Sequence, residues 1–148
     1  MPNVCKNDLF ISGPVDDLQA FLAAANGMTG PGEDDVPLDF GKFIPEPQYE
    51  NPDDRRSCYN WRVEHWGTHC NADRTFGDDI IGRYVMLSFV TAWAPPKPVV
   101  TAMAKAYPSL EFALTYYRKG WGVAGRVRYE HGVAVYDVER PYSGKKGG

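Results

Sequence analysis

Apolar residues recur along this chain in two rhythms, an alternation that suits strands and a three-to-four spacing that suits helices. Over residues 5–11 the alternation places Cys5, Leu9 and Ile11 on one strand face, with Asn7 its polar exception. Gly13-Pro14 breaks the strand, and Ser12 or Gly13 can cap a helix with Pro14 at its first position. Asp16 and Asp17 suit the positive helix end, and Leu18, Phe21, Leu22 and Ala25 form the apolar stripe that Asn26-Gly27 stops. Residues 28–59 carry Pro31, Pro37, Pro45, Pro47 and Pro52, so neither a long helix nor a central strand is expected there. Phe40, Phe43 and Ile44 nonetheless need burial, which predicts a packed excursion. In residues 60–68, Trp61, Val63 and His65 alternate with Arg62, Glu64 and Trp66, which predicts a strand covered on one side. The polar residues 69–82 follow, with Phe76 as their anchor. Residues 84–93 are apolar on both faces and read as a central strand.

Pro95, Pro96 and Pro98 turn the chain into a second helix, striped by Val99, Ala102, Met103 and Ala106 and ended at Tyr107-Pro108. Leu110, Phe112, Leu114 and Tyr116 alternate next, then Trp121, Val123, Val127 and Tyr129. Glu130-His131-Gly132 predicts a hairpin turn into a last strand over residues 133–138. The order is strand, helix, excursion, strand, strand, helix, strand, hairpin. It predicts an α+β chain of one domain over residues 1–148, a ferredoxin-like split β-α-β antiparallel sheet with two helices on one face. Residues 28–59 form a Pro-rich, acidic insertion, and residues 141–148 a flexible tail.

Composition adds limits. At 148 residues, 43% of them hydrophobic, the chain can bury a core without staples. Residues 1–74 hold 6 Lys/Arg and 13 Asp/Glu, whereas residues 75–148 hold 10 and 6. The net charge of −3 thus hides an acidic and a basic half, which excludes a uniformly basic nucleic-acid binder. Three cysteines, Cys5, Cys58 and Cys70, lack a framework spacing and point to reduced thiols in a cytoplasm. No apolar run approaches a membrane span, and no secretory leader pattern opens the sequence.

Several phrases stand out together: residues 7–13 (NDLFISG), residues 39–47 (DFGKFIPEP), Asn60-Trp61, Trp66-Gly67-Thr68, Asn71-Ala72, and residues 91–96 (TAWAPP). On these the chain resembles the YubB/Api-type ferredoxin-like domain family of bacteriophages, plasmids and bacterial chromosomes, over roughly residues 5–138. The resemblance implies a fold and a genetic context, and it supplies no reaction.

Candidate chemistry is sparse. Cys58, His65, His69 and Cys70 are metal-ligand types, but no CxxC is present and His69 and Cys70 are adjacent, so no metal site is expected. Glu64 and His65 point apart on one strand, and Asp78-Asp79 reads as a solvated turn. Residues 120–125 (GWGVAG) precede a strand and not a helix, which makes them a bend and not a phosphate loop. No catalytic residue and no cofactor is assigned. The candidate binding residues are Arg118, Lys119, Trp121, Arg126 and Arg128, a basic patch with Tyr117 or Trp121 as the aromatic beside it. The expected function is that of a non-enzymatic phage or mobile-element protein that binds a bacterial host protein and blocks a defence component. The alternatives are a nucleotide-sequestering or nucleic-acid-binding module using the basic hairpin, and a small hydrolase around His65. The expected setting is the cytoplasm of a bacterial host.

Overall fold

A computed structural model of the chain describes residues 3–27, 36–77 and 79–142, and the Lys119 side chain lies outside that description. Six strands form one antiparallel sheet: β1 (Val4–Ser12), β2 (Asp73–Phe76), β3 (Tyr84–Ala92), β4 (Glu111–Arg118), β5 (Val123–Glu130) and β6 (Val133–Pro141). Their order across the sheet is β2-β3-β1-β4-β5-β6. The helices are α1 (Val15–Ala25), α2 (Arg55–Trp66) and α3 (Lys97–Ala106). This is the ferredoxin-like α+β arrangement, extended by α2 and by the β5–β6 hairpin. Among the described residues, no helix is long and apolar enough to cross a membrane.

The core lies between one sheet face and the helices. Leu9 and Ile11 of β1, Leu87 and Phe89 of β3, and Phe112, Leu114 and Tyr116 of β4 all point into it. Leu18 and Phe21 of α1 and Val99, Val100 and Met103 of α3 close it from above. Asn7 is fully buried, and its Nδ2 donates to the Cys5 carbonyl at 3.2 Å and to Thr91 Oγ1 at 3.0 Å. A buried amide is tolerated where its donors find acceptors in this way.

The structure overturns the strand expected over residues 60–68. That stretch belongs to α2 and the turn after it, and the second strand is the short β2 at Asp73–Phe76. Asp54 caps α2, accepting from the amides of Arg56 and Ser57, both at 3.1 Å. Gly67 ends it at φ 89°, the left-handed C-cap conformation that glycine adopts without steric cost. The signal present in the sequence was the spacing of Cys58, Trp61, Arg62, His65 and Trp66, which share the inner, half-buried side of the helix. A strict two-residue alternation over the same tryptophans hid it. Trp61 and His65 therefore stack, 4.5 Å apart, one helical turn from each other.

The expected insertion is packed where it is described. Leu38 and Phe40 are fully buried, and Phe40 meets Trp66 and Phe89 edge-on at 5.7 and 6.0 Å. Asn71 ties it to the sheet side, its Nδ2 donating to Asp39 at 2.8 Å and its Oδ1 accepting the Phe40 amide at 2.9 Å. Residues 28–35 lie outside the described residues, as do Asp78 and residues 143–148. Pro141 and Tyr142, expected in a flexible tail, are instead held: Pro141 pairs with Val123, and the Tyr142 amide donates to the Gly122 carbonyl at 2.7 Å.

β3 is not the central strand. It is flanked by β1 and the short β2, and only its Val85-Leu87-Phe89 side meets the helices. On its opposite side Tyr84 and Met86 are exposed, while Ser88 is buried. β1 and β4 share the middle of the sheet, and β1 is buried on one face and carries Lys6, Asp8 and Phe10 on the other.

Candidate functional site

The strand registers fix which side chains meet on the uncovered sheet face. In one row across β1, β4, β5 and β6 stand Lys6, Tyr117, Ala124 and Arg140. The next row holds Asp8, Thr115, Arg126 and Val138, and the third Phe10, Ala113, Arg128 and Tyr136. Small residues at Ala113, Thr115 and Ala124 leave the middle of this grid low. Longer side chains on β1 and β6 raise its sides. The result is a basin of about 480 Å³ on the open face, within the size range of small-molecule sites.

Three cationic side chains, Lys6, Arg126 and Arg140, line the basin together with one carboxylate, Asp8. Phe10, Tyr117 and Tyr136 also line it, and Phe10 and Tyr136 are 45% and 40% exposed. Asp8 accepts a hydrogen bond from Ser88 Oγ at 2.7 Å, which anchors the carboxylate. Gly125 contributes on the packed side of β5. A Cβ there would collide with the Tyr116 ring and hydroxyl. With glycine in place, Tyr116 lies across β5 and donates to Glu139 Oε2 on β6 at 2.8 Å. Burial, reinforced by that carboxylate, pushes the Tyr116 hydroxyl pKa well above its ordinary value, so it stays a donor. Lys97 of α3 joins the network through Asp137 at 3.0 Å. β6, which forms one wall of the basin, is thus tied to the body of the protein from beneath.

The residues singled out in the sequence divide between two places. Arg126 faces the basin, while Arg128, one row further, is bridged to Glu130 at 3.1 Å. Arg118 is on the opposite sheet face, because it pairs with Cys5 and not with Lys6. Its guanidinium stacks 4.7 Å from the Trp121 ring centroid, and its Nε donates to the Trp93 carbonyl at 2.9 Å. Trp93 and Trp121 meet edge to face at 6.3 Å and are 43% and 54% exposed. Trp93 has φ 68°, an unfavourable conformation for a bulky residue. The sequence reading thus joined two surfaces into one patch. Tyr117, expected beside the basic patch, lines the basin, whereas Lys6, Phe10, Tyr136 and Arg140 were not foreseen there. The signal for them was the outward set of each alternating strand, read across strands once the order β1-β4-β5-β6 is known.

The other candidates fall elsewhere. His65 Nδ1 lies 2.8 Å from the Trp61 carbonyl and its ring stacks on Trp61, a packing role within α2. Glu64 projects from the exposed side of that helix, and Asp79 is exposed. His69 stacks on Tyr59 at 4.7 Å, and its Nδ1 lies 3.3 Å from Cys70 Sγ. The Cys58 thiol points at Glu46 at 3.6 Å. Among the described residues, no group of three or more His, Cys, Asp or Glu side chains is placed to hold a metal ion. The residues 120–125 form a bend, as expected: a 3-10 turn over Lys119–Trp121, then Gly122 at φ 61° and the start of β5.

Residues 66–145 match the family model described as a ferredoxin-like domain in Api92-like protein. The crystal structure of the protein api92 from Yersinia pseudotuberculosis is similar at a TM-score of 0.66 and 10% identity, covering 98% of this chain and 99% of that one. No functionally curated protein matches. At that identity the structural likeness speaks for the fold, which in both chains spans nearly the whole length.

Proposed function

From the premise that this chain belongs to the family of Api92-like proteins with a ferredoxin-like domain, we propose that it acts by binding and not by turnover. It holds an anionic molecule on its uncovered sheet face and so withdraws that molecule from use. The observation that carries this reading is the basin itself, where Lys6, Arg126 and Arg140 converge over a floor of small residues. Its setting is a phage or another mobile element inside a bacterial cell. There, a protein working by occupancy needs no catalytic set, only enough copies. The test is to pass the purified protein through a deproteinised bacterial extract and identify by mass spectrometry what it retains. Wild type is expected to retain anionic compounds that an Arg126→Glu/Arg140→Glu variant does not. Equal retention by both, or none by either, counts against the basin.

A second reading rests on a different surface. Tryptophan and arginine are the residues over-represented where protein interfaces concentrate their energy. The exposed Trp93 and Trp121 and the half-buried Arg118 form such a cluster at one end of the sheet. On this reading the protein occupies a bacterial host protein, a defence component among the candidates. A host partner recovered stoichiometrically by wild type and by the basin variant, but not by Trp121→Ala, would establish it.

A further inference from the structure

Resting on the basin reading above, we propose that the ligand class is a nucleoside phosphate, taken free or as the unpaired nucleotide of a single strand. Three features of the basin converge on that chemistry. The first is the placement of the cations. Arg126 and Arg140 are diagonal neighbours on β5 and β6, since Arg126 pairs with Val138 and Arg140 with Ala124. Diagonal neighbours stand about 7–8 Å apart, a gap that two long guanidinium side chains close around one phosphate. Arginine presents a planar fork that matches phosphate oxygens. Lys6 lies at the far end of Arg140's row, beyond Tyr117 and Ala124, and adds a third positive charge.

The second feature is aromatic. A site for inorganic anions needs no rings, yet Phe10, Tyr117 and Tyr136 stand around the same floor. Phe10 and Tyr136 occupy one row at opposite sides, with Ala113 and Arg128 between them. Three strand spacings separate them, about 14 Å. A planar heterocycle can stack on the side of either ring that faces the basin, and such stacking accepts any base because every base has a π-face. The third feature is Asp8. A carboxylate in an anion site opposes the ligand's charge unless it meets donors. A nucleoside brings donors on its sugar and base. Asp8 lies beside Lys6 on β1, one row from Phe10, where the sugar and base edge of a stacked nucleotide with its phosphate at Arg126 would fall. Its carboxylate is already oriented by Ser88 at 2.7 Å.

The volume sets the scale. About 480 Å³ suits one nucleotide unit and is too small for a duplex. A strand would therefore be read one nucleotide at a time.

Calorimetric titration of the full chain tests this with three probes: the four nucleoside monophosphates, a five-nucleotide single strand, and inorganic phosphate. Monophosphates or the strand are expected to bind at least tenfold more tightly than phosphate. Arg126→Gln/Arg140→Gln is expected to lose at least tenfold in affinity, and Phe10→Ala to weaken the nucleotides without changing phosphate. Tighter binding by the strand than by any monophosphate assigns the ligand to nucleic acid; the reverse assigns it to the free nucleotide. Each variant's unfolding transition is compared with wild type's, so that a lost fold is not read as a lost site. Phosphate binding as well as the nucleotides would overturn the ring-bearing class. So would unchanged nucleotide affinity in the arginine variant. If no probe binds while the extract experiment still shows arginine-dependent retention, the class is wrong and the basin reading stands. If both fail, both fall.

Discussion

Asn7 and Cys5 illustrate how single buried positions constrain this protein. Cys5 is fully buried at the centre of the sheet, and burial pushes its thiol pKa up to about 12. The thiol donates toward Asn7 Oδ1 at 3.6 Å, inside the same small polar group that joins β1 to Thr91. A thiol reagent at pH 8 is therefore expected to modify exposed Cys70 quickly, Cys58 more slowly, and Cys5 only after unfolding. Rapid loss of all three thiols in the native protein would contradict this.

Glu46 gives a pH dependence of definite sign. Partial burial raises its carboxyl, but Arg62, Tyr49 and Cys58 outweigh that and hold it below its ordinary 4.5. The Arg62 contact is bidentate, with distances of 2.7 and 3.0 Å. A depressed carboxyl stabilises the fold above its unfolded pKa and loses that contribution as pH falls through the folded one. Glu46→Gln should thus lower the urea midpoint at pH 7, and the gap should close as pH drops below 4.5. A gap unchanged down to pH 3 would mean the pair contributes nothing.

At the scale of elements, α2 joins the insertion to the sheet, and its C-terminal end carries one of the strongest sequence phrases. Thr68 Oγ1 donates to the Ala92 carbonyl at 2.7 Å, and a Cβ on Gly67 would come within 2.5 Å of Pro98 Cδ and 3.1 Å of the Pro95 carbonyl. The Trp-Gly-Thr and Thr-Ala-Trp-Ala-Pro-Pro stretches are thus two sides of one contact. Gly67→Ala is expected to cost at least about 1 kcal/mol from the left-handed backbone alone, more once Pro98 is displaced, as measured by urea unfolding. Phe40→Ala, which removes the ring between Trp66 and Phe89, is expected to cost about 3–5 kcal/mol. A loss under about 1 kcal/mol would show that the insertion rests on the domain without supporting it.

β1, α1, α3, β4 and β5 were legible in the sequence because their buried positions follow one period; β6, exposed along its whole length, was legible from the Glu130-His131-Gly132 turn that precedes it. α2 was not, since its inner side is built from tryptophan, histidine and an arginine, whose apolar bodies and polar tips confuse any binary pattern. The basin was illegible for another reason. Its residues come from four strands and meet only through the registers, so no local window contains them. Of its charged residues Arg126 alone was foreseen there, and its companion Arg118 is on the other face because strand parity sends them apart.

The whole molecule is asymmetric. One face of the sheet is packed under three helices, and the other is open among the described residues, with cations concentrated on the strands farthest from β2. The chain's net charge is −3, so attraction of an anion to the basin is local and must compete with the overall field. Ligand affinity is therefore expected to fall severalfold between 0.1 and 1 M salt, over which the screening length drops from about 10 to about 3 Å. An affinity indifferent to salt would show that the aromatic side chains alone hold the ligand.

The position of β1 also sets a schedule. It precedes the other strands in sequence and lies beside β4 at the middle of the sheet, yet Asp8 meets Ser88 80 residues later, and Cys5 pairs with Arg118. A nascent chain emerging from the ribosome must carry β1 unpaired until most of its length exists. Closing such distant pairs is slow, on the order of milliseconds to seconds for sheets dominated by non-local contacts. Until then, its Leu9 and Ile11 lack their strand neighbours, and assembly must wait for β3 and β4.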